Sequence, residues 1–149
     1  RDAVRSLDLA AWMFATPPTQ IYAVGRAGYL QIHLGFPEGG MALIDYAHTL
    51  SDGGDYFALS LIGSTGAAYA DDHHNLLFAG GLPRALATGQ GALGHEQQVA
   101  EFVSAIDEGR QPSVTGADGR SALQVAEAVL VSLEEGTSMK GSANRYERA

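Results

Sequence analysis

The chain has 149 residues, 46% of them apolar and 17% charged, with a net charge of −8 and no cysteine. This is globular composition, long enough for one domain with an ordinary core. It excludes disulfides, zinc–thiolate centres and cysteine nucleophiles, a basic nucleic-acid-binding face and, since no apolar run is long enough, a membrane-spanning helix.

The chain opens on Arg1, not Met, within a helical pattern, which predicts a piece of a longer protein. Val4, Leu7, Ala11 and Phe14 share one helical face, and Thr16-Pro17-Pro18 ends the helix because proline cannot continue it. Arg1, Arg5, Asp8 and Trp12 lie on or near one side of this helix. Arg5 and Asp8 have the spacing of a surface ion pair, and the whole group could equally face a substrate.

The period then changes. Gln20–Arg26, Tyr29–Phe36 and Met41–Ala47 are short runs rich in Ile, Val, Tyr and Leu, punctuated by glycine and proline, and predict an antiparallel meander. A fourth strand is expected over Tyr56–Ile62, a short partner over Ala67–Ala70 and a sixth strand over Asn75–Ala79, followed by a loop from Gly80 to Gly94. Val99, Phe102, Val103 and Ile106 fall at i, i+3, i+4 and i+7 and predict an amphipathic helix ending near Gly109. Thr115 and Asp118 form a capping-box pattern ahead of a second helix, which carries Leu123, Ala126, Leu130 and Leu133, with Val125 and Val129 widening the apolar stripe, and is expected to be largely buried. Gly136 ends it. Strands do not alternate with helices, so the expected fold class is α+β, a mostly antiparallel open-faced sheet with helices packed on one face. Residues 1–137 are expected as a single domain and 138–149 as a polar C-terminal tail.

Several motifs are weighed against plainer readings. Gly89-Gln90-Gly91-Ala92-Leu93-Gly94 matches G-x-G-x-x-G, but Arg84–Thr88 is a poor buried strand and no βα unit follows. A flexible glycine loop is the better account, and no cofactor is expected to bind this chain. Asp71-Asp72-His73-His74 is the densest run of metal-ligand types, yet neighbours on an extended segment point to opposite sides, so a solvated turn tip is expected and no metal. His33, His48 and His95 are isolated. Ser64, between Gly63 and Thr65, lacks the nucleophile-elbow context of a hydrolase.

Three passages in order carry a family resemblance: Arg5-Ser6-Leu7-Asp8 through Trp12-Met13 with Ile21–Gly25 behind it, Leu59–Tyr69 with its G-x-x-G turn, and Phe102 through Glu108–Pro112 and Val114–Gly119 to Gly136. They resemble the C-terminal domain of the Gfo/Idh/MocA oxidoreductases. The resemblance implies a substrate-binding and oligomerisation domain, inactive without an N-terminal Rossmann domain that binds NAD or NADP, in an enzyme acting on a sugar, cyclitol or related hydroxy/oxo compound. It implies a homo-oligomer formed through the sheet face and substrate contacts from Arg1, Arg5 and Asp8, while the absence of cysteine fits a cytoplasmic location. No catalytic residue is assigned. Where the family places a relay His this chain has Arg5, and where it places an Asp this chain has Arg1. A guanidinium stays protonated and cannot act as a neutral base. The proton is then handled from the missing domain, the arginines bind an anionic substrate, or the reaction has been lost. The competing reading is a non-catalytic dimerisation or small-molecule-binding module.

Overall fold

The computed structural model of the chain describes residues 3–47, 57–71, 76–79, 86–87, 92–142 and 145–149, of which 71, 76–79, 86–87, 92–93 and 142 by their backbone alone. The chain divides into two compact units, one built from residues 1–49 and 114–149, the other from 50–113.

The first unit begins with helix α1 (Ala3–Phe14). Leu7 and Ala10 are buried, with Ala3 and Phe14 packed against the same core, so the buried stripe is offset slightly from the expected Val4/Ala11 line. Ala15 closes the helix in the left-handed region at φ 53°, and Thr16 N–H returns to the Ala11 carbonyl at 3.2 Å. Strands β1 (Gln20–Arg26), β2 (Tyr29–Gly35) and β3 (Met41–Ala47) form the expected meander, paired antiparallel throughout. The β1–β2 pairing sets Ala23 opposite Ile32 and Tyr22 opposite His33, and β2–β3 sets His33 opposite Leu43. Side chains therefore alternate cleanly. Ile21, Ala23, Ile32 and Leu34 enter the core, while Tyr22, Val24, His33 and Leu43 stay on the other face.

The long helix of this unit, α3 (Gly116–Glu135), is preceded in sequence by a helix of the second unit, α2 (Ala92–Asp107). Helix α3 starts at the expected capping box: Thr115 Oγ1 accepts from the amides of Ala117 and Asp118, and the Asp118 carboxylate accepts from Thr115 N–H at 2.7 Å. The Thr115 hydroxyl, which donates to the same oxygen at 2.7 Å, and then that amide hold the Asp118 carboxyl below its usual range. Gly136, at φ 64°, ends the helix in the left-handed conformation that favours glycine. Helix α3 lies against β1 and α1 through Ala122, Val125, Ala128, Val129 and Ser132. Leu123 and Leu130, expected inside, are 57% and 58% exposed. The inward row is one of small and β-branched residues, which allows close approach to the sheet; the longer leucines fall outside it.

The expected polar tail is instead a hairpin. Strands β8 (Met139–Ser142) and β9 (Arg145–Arg148) pair with each other, and β8 pairs with β1 at Gln20 and Ile21, so the five-stranded order is β3-β2-β1-β8-β9. Met139 is buried in the core, and Tyr146 donates to the Pro18 carbonyl at 2.9 Å. Two inward residues were enough to dock a segment whose other positions are polar.

The second unit has its own sheet, so the strands expected in one sheet lie in two. Strands β4 (Ala58–Gly63), β5 (Gly66–Asp71), β6 (Leu76–Ala79) and β7 (Leu86–Ala87) pair antiparallel in chain order. Ser64-Thr65 is the two-residue turn between β4 and β5. Strand β7 lies in the stretch expected to be loop. Past the end of α2, Arg110 grips Glu101 with two nitrogens at 2.8 and 2.9 Å and Glu108 with a third at 2.6 Å. Glu101 also accepts from Ser113 N–H. The Arg110 guanidinium, with that amide, holds the Glu101 carboxyl down at about 2. A carboxylate bound in the folded state stabilises above its unfolded pKa and loses that contribution as pH falls through its folded one. The Glu101 link is therefore expected to persist at pH 4 and to be lost only toward pH 2. Carboxyl chemical shifts followed through an acid titration check this, and a midpoint in the ordinary glutamate range would contradict it.

Candidate functional site

Helix α1 carries the residues expected to meet a substrate. Its buried stripe turns Ala3, Leu7, Ala10 and Phe14 inward, so a helix of 3.6 residues per turn must present Arg5, Asp8 and Trp12 on the opposite side. All three are exposed there, Trp12 by 74%. Arg5 and Trp12 stand two turns apart, roughly 10 Å along the axis, with Asp8 between them. The expected Arg5–Asp8 ion pair does not form: among the described residues no salt bridge joins them. Both charged groups therefore remain available to a ligand. Arg1 lies outside the described residues.

A second polar group was not anticipated. On the face of the five-stranded sheet away from the helices, Tyr29 Oη donates to Asp45 Oδ1 at 2.6 Å, Gln31 Nε2 donates to the same oxygen at 2.8 Å, and His33 Nε2 lies 3.1 Å from Gln31 Oε1. The Tyr22 and His33 rings meet at a tilt with centroids 6.1 Å apart. The Tyr29 hydroxyl is the largest influence lowering the Asp45 carboxyl, and that same bond raises the Tyr29 phenol. Strand alternation and register were the signal: positions 29, 31 and 33 of β2 and 45 of β3 share one face. Met41 (81% exposed), Leu43 (57%), Val24 and Tyr22 give this face an apolar component. A cleft of 440 Å³ between the β1–β2 turn and the end of α3 is lined by Arg26, Tyr29, Leu30, Tyr46 and Leu133, and includes none of the α1 residues.

The remaining motifs contribute nothing here. His95 is exposed on α2. His48, the Asp72–His74 part of the acidic–histidine run, and residues 89–91 of the glycine motif lie outside the described residues. No cluster of three potential metal ligands occurs among the described residues. Every strand pairing among the described residues is antiparallel, whereas a dinucleotide-binding glycine motif needs a parallel βαβ unit around it. No described helix is long and apolar enough to cross a membrane.

No family model matches the sequence, and no curated protein matches it. Solved structures do. An oxidoreductase domain protein from Kribbella flavida is 16% identical with a TM-score of 0.80, over 93% of this chain and 48% of that one. A UDP-N-acetylglucosamine 3-dehydrogenase from Acidithiobacillus ferrooxidans is 20% identical with a TM-score of 0.77, over 89% and 45%. A levoglucosan dehydrogenase in complex with NADH and levoglucosan is 15% identical with a TM-score of 0.78, over 93% and 48%. The chain spans about half the length of these proteins, and its fold is that of the C-terminal part of Gfo/Idh/MocA-type oxidoreductases.

Proposed function

We propose that the chain is the substrate-facing part of an NAD(P)-dependent oxidoreductase acting on a sugar, cyclitol or related hydroxy/oxo compound. The observation that carries this is that about nine-tenths of the chain superimposes on about half of proteins such as the levoglucosan dehydrogenase. In that reading the nicotinamide accepts or supplies a hydride and is held by a separate Rossmann domain. Arg5 and Asp8 contact the substrate, joined by Arg1. Arg5 holds an anionic or oxygen-rich group through its planar fork. Asp8 accepts a hydrogen bond from a hydroxyl. Arg5 cannot take the hydroxyl proton, so the proton acceptor comes from the cofactor-binding half. The isolated 149 residues are expected neither to bind NADH nor to turn over, and the chain joined to a Rossmann half to do both. Calorimetric titration with NADH measures it; saturable binding to the isolated chain would overturn the reading.

The open face of the five-stranded sheet favours a companion role, self-association. An exposed face bearing Met41, Leu43, Val24 and Tyr22 gains by covering that area with a second copy. Sedimentation is expected to show a dimer at tens of micromolar that Leu43→Asp converts to monomer. A wild-type chain that is monomeric there would refute the role. A dimer that forms without any nucleotide-dependent activity in the joined protein would favour the non-catalytic module.

A further inference from the structure

We propose that Trp12 is a substrate-contacting residue and that the substrate is a cyclic, polyhydroxylated carboxylic acid of the hexuronate type. This rests on the reading that the exposed side of α1 faces the substrate. Three groups share that side: a guanidinium at Arg5, a carboxylate at Asp8 and an indole at Trp12, the last 74% exposed. Each answers to a different part of one molecule. The guanidinium fork matches a carboxylate with two parallel hydrogen bonds, and unlike an imidazole it has no use as a proton relay. Asp8 accepts hydrogen bonds and so pairs with a hydroxyl. The indole offers a broad apolar face, suited to the C–H face of a saturated ring.

The order along the helix matters. Asp8 stands between the other two, so the hydroxyl it binds lies between a ring face at Trp12 and an acid group at Arg5. A neutral sugar would leave the Arg5 charge unmatched. An acyclic acid would leave the indole uncovered. Neither Arg5 nor Asp8 is neutralised by the other, since the two form no ion pair. An exposed indole on an otherwise charged helix side has no role in the core, which α1 reaches through its opposite stripe.

Trp12 is the only tryptophan in the chain, so its emission reports directly on what covers it. In the isolated chain, with folding checked by far-ultraviolet dichroism, D-glucuronate is expected to change Trp12 emission saturably. D-glucose should do so at least tenfold more weakly, and Arg5→Gln should abolish the difference. In the protein joined to its cofactor-binding half, Trp12→Ala is expected to raise KM for D-glucuronate about 3- to 10-fold, with Trp12→Phe retaining most of the affinity. Arg5→Gln should raise it about 10- to 100-fold, at least tenfold more than it raises KM for D-glucose. Equal turnover of D-glucose and D-glucuronate, or a KM unmoved by Trp12→Ala, would overturn the proposal while leaving the oxidoreductase reading in place. No nucleotide-dependent turnover of any sugar or sugar acid would overturn both.

Discussion

Replacing Ile32 with alanine is expected to destabilise the first unit by about 2–5 kcal/mol, measured by urea denaturation. Ile32 is wholly buried at the middle of β2, which lies between β1 and β3. It belongs to one cluster with Leu7 of α1, Ile21 of β1, and Val125 and Val129 of α3. Truncation there opens space within a cluster drawn from two helices and a neighbouring strand, and packed surroundings collapse poorly into it. The adjacent positions give the control. Gln31 and His33 point to the open face, where, at concentrations too low for self-association, hydrogen bonds to water replace those lost, so alanine at either is expected to cost within about 1 kcal/mol. Equal losses at positions 31, 32 and 33 would mean that the open face is itself buried. That result would point to self-association that persists at those low concentrations.

The contrast between Ile32 and its neighbours was legible in the sequence, and it shows what kind of information survives there. Alternation over Tyr29–Gly35 and Met41–Ala47 gives the strands and the inward residues, because a period of two admits no other assignment. The Thr115/Asp118 cap was equally plain, since its geometry is local. What the residues could not give was long-range choice. The strands from Ala58 on formed a separate sheet, and β8 docked on β1, through partners more than a hundred positions away. Helix α3 was read with its leucines at the centre of the stripe and Val125 and Val129 widening it, yet its buried row is Ala122, Val125, Ala128, Val129 and Ser132. Of the candidate site, Arg5, Asp8 and Trp12 could be placed on one helix side from spacing alone. Whether Arg5 and Asp8 would pair was not decidable from spacing. The Tyr29–Gln31–Asp45 hydrogen bonds depend on the β2–β3 register, which no local pattern states.

Ser132→Ala is expected to cost about 2 kcal/mol, although it removes one oxygen from a residue that periodicity alone would have left among the helix polar positions. Strand β8 pairs with β1 only at Gln20 and Ile21. Beyond that point the Ala23 amide meets no strand on that edge, and a buried unpaired amide costs about 1–3 kcal/mol. The Ser132 hydroxyl, with no exposure, accepts from Ala23 N–H at 3.0 Å and donates to the Thr137 carbonyl at 2.6 Å. One hydroxyl thus completes the sheet edge and ties the residue after the α3 terminus back to its last turn. Alanine leaves both partners unmatched. The Thr137 carbonyl is only part-buried and can turn to water, so the Ala23 amide carries most of the loss. Hydrogen exchange separates this from a general loosening: protection is expected to fall selectively at the Ala23 amide while the β1–β2 ladder amides keep theirs relative to global stability. An unchanged Ala23 exchange rate, or a loss spread evenly along β1 and β2, would show that the hydroxyl fills space there rather than completing the edge of the sheet.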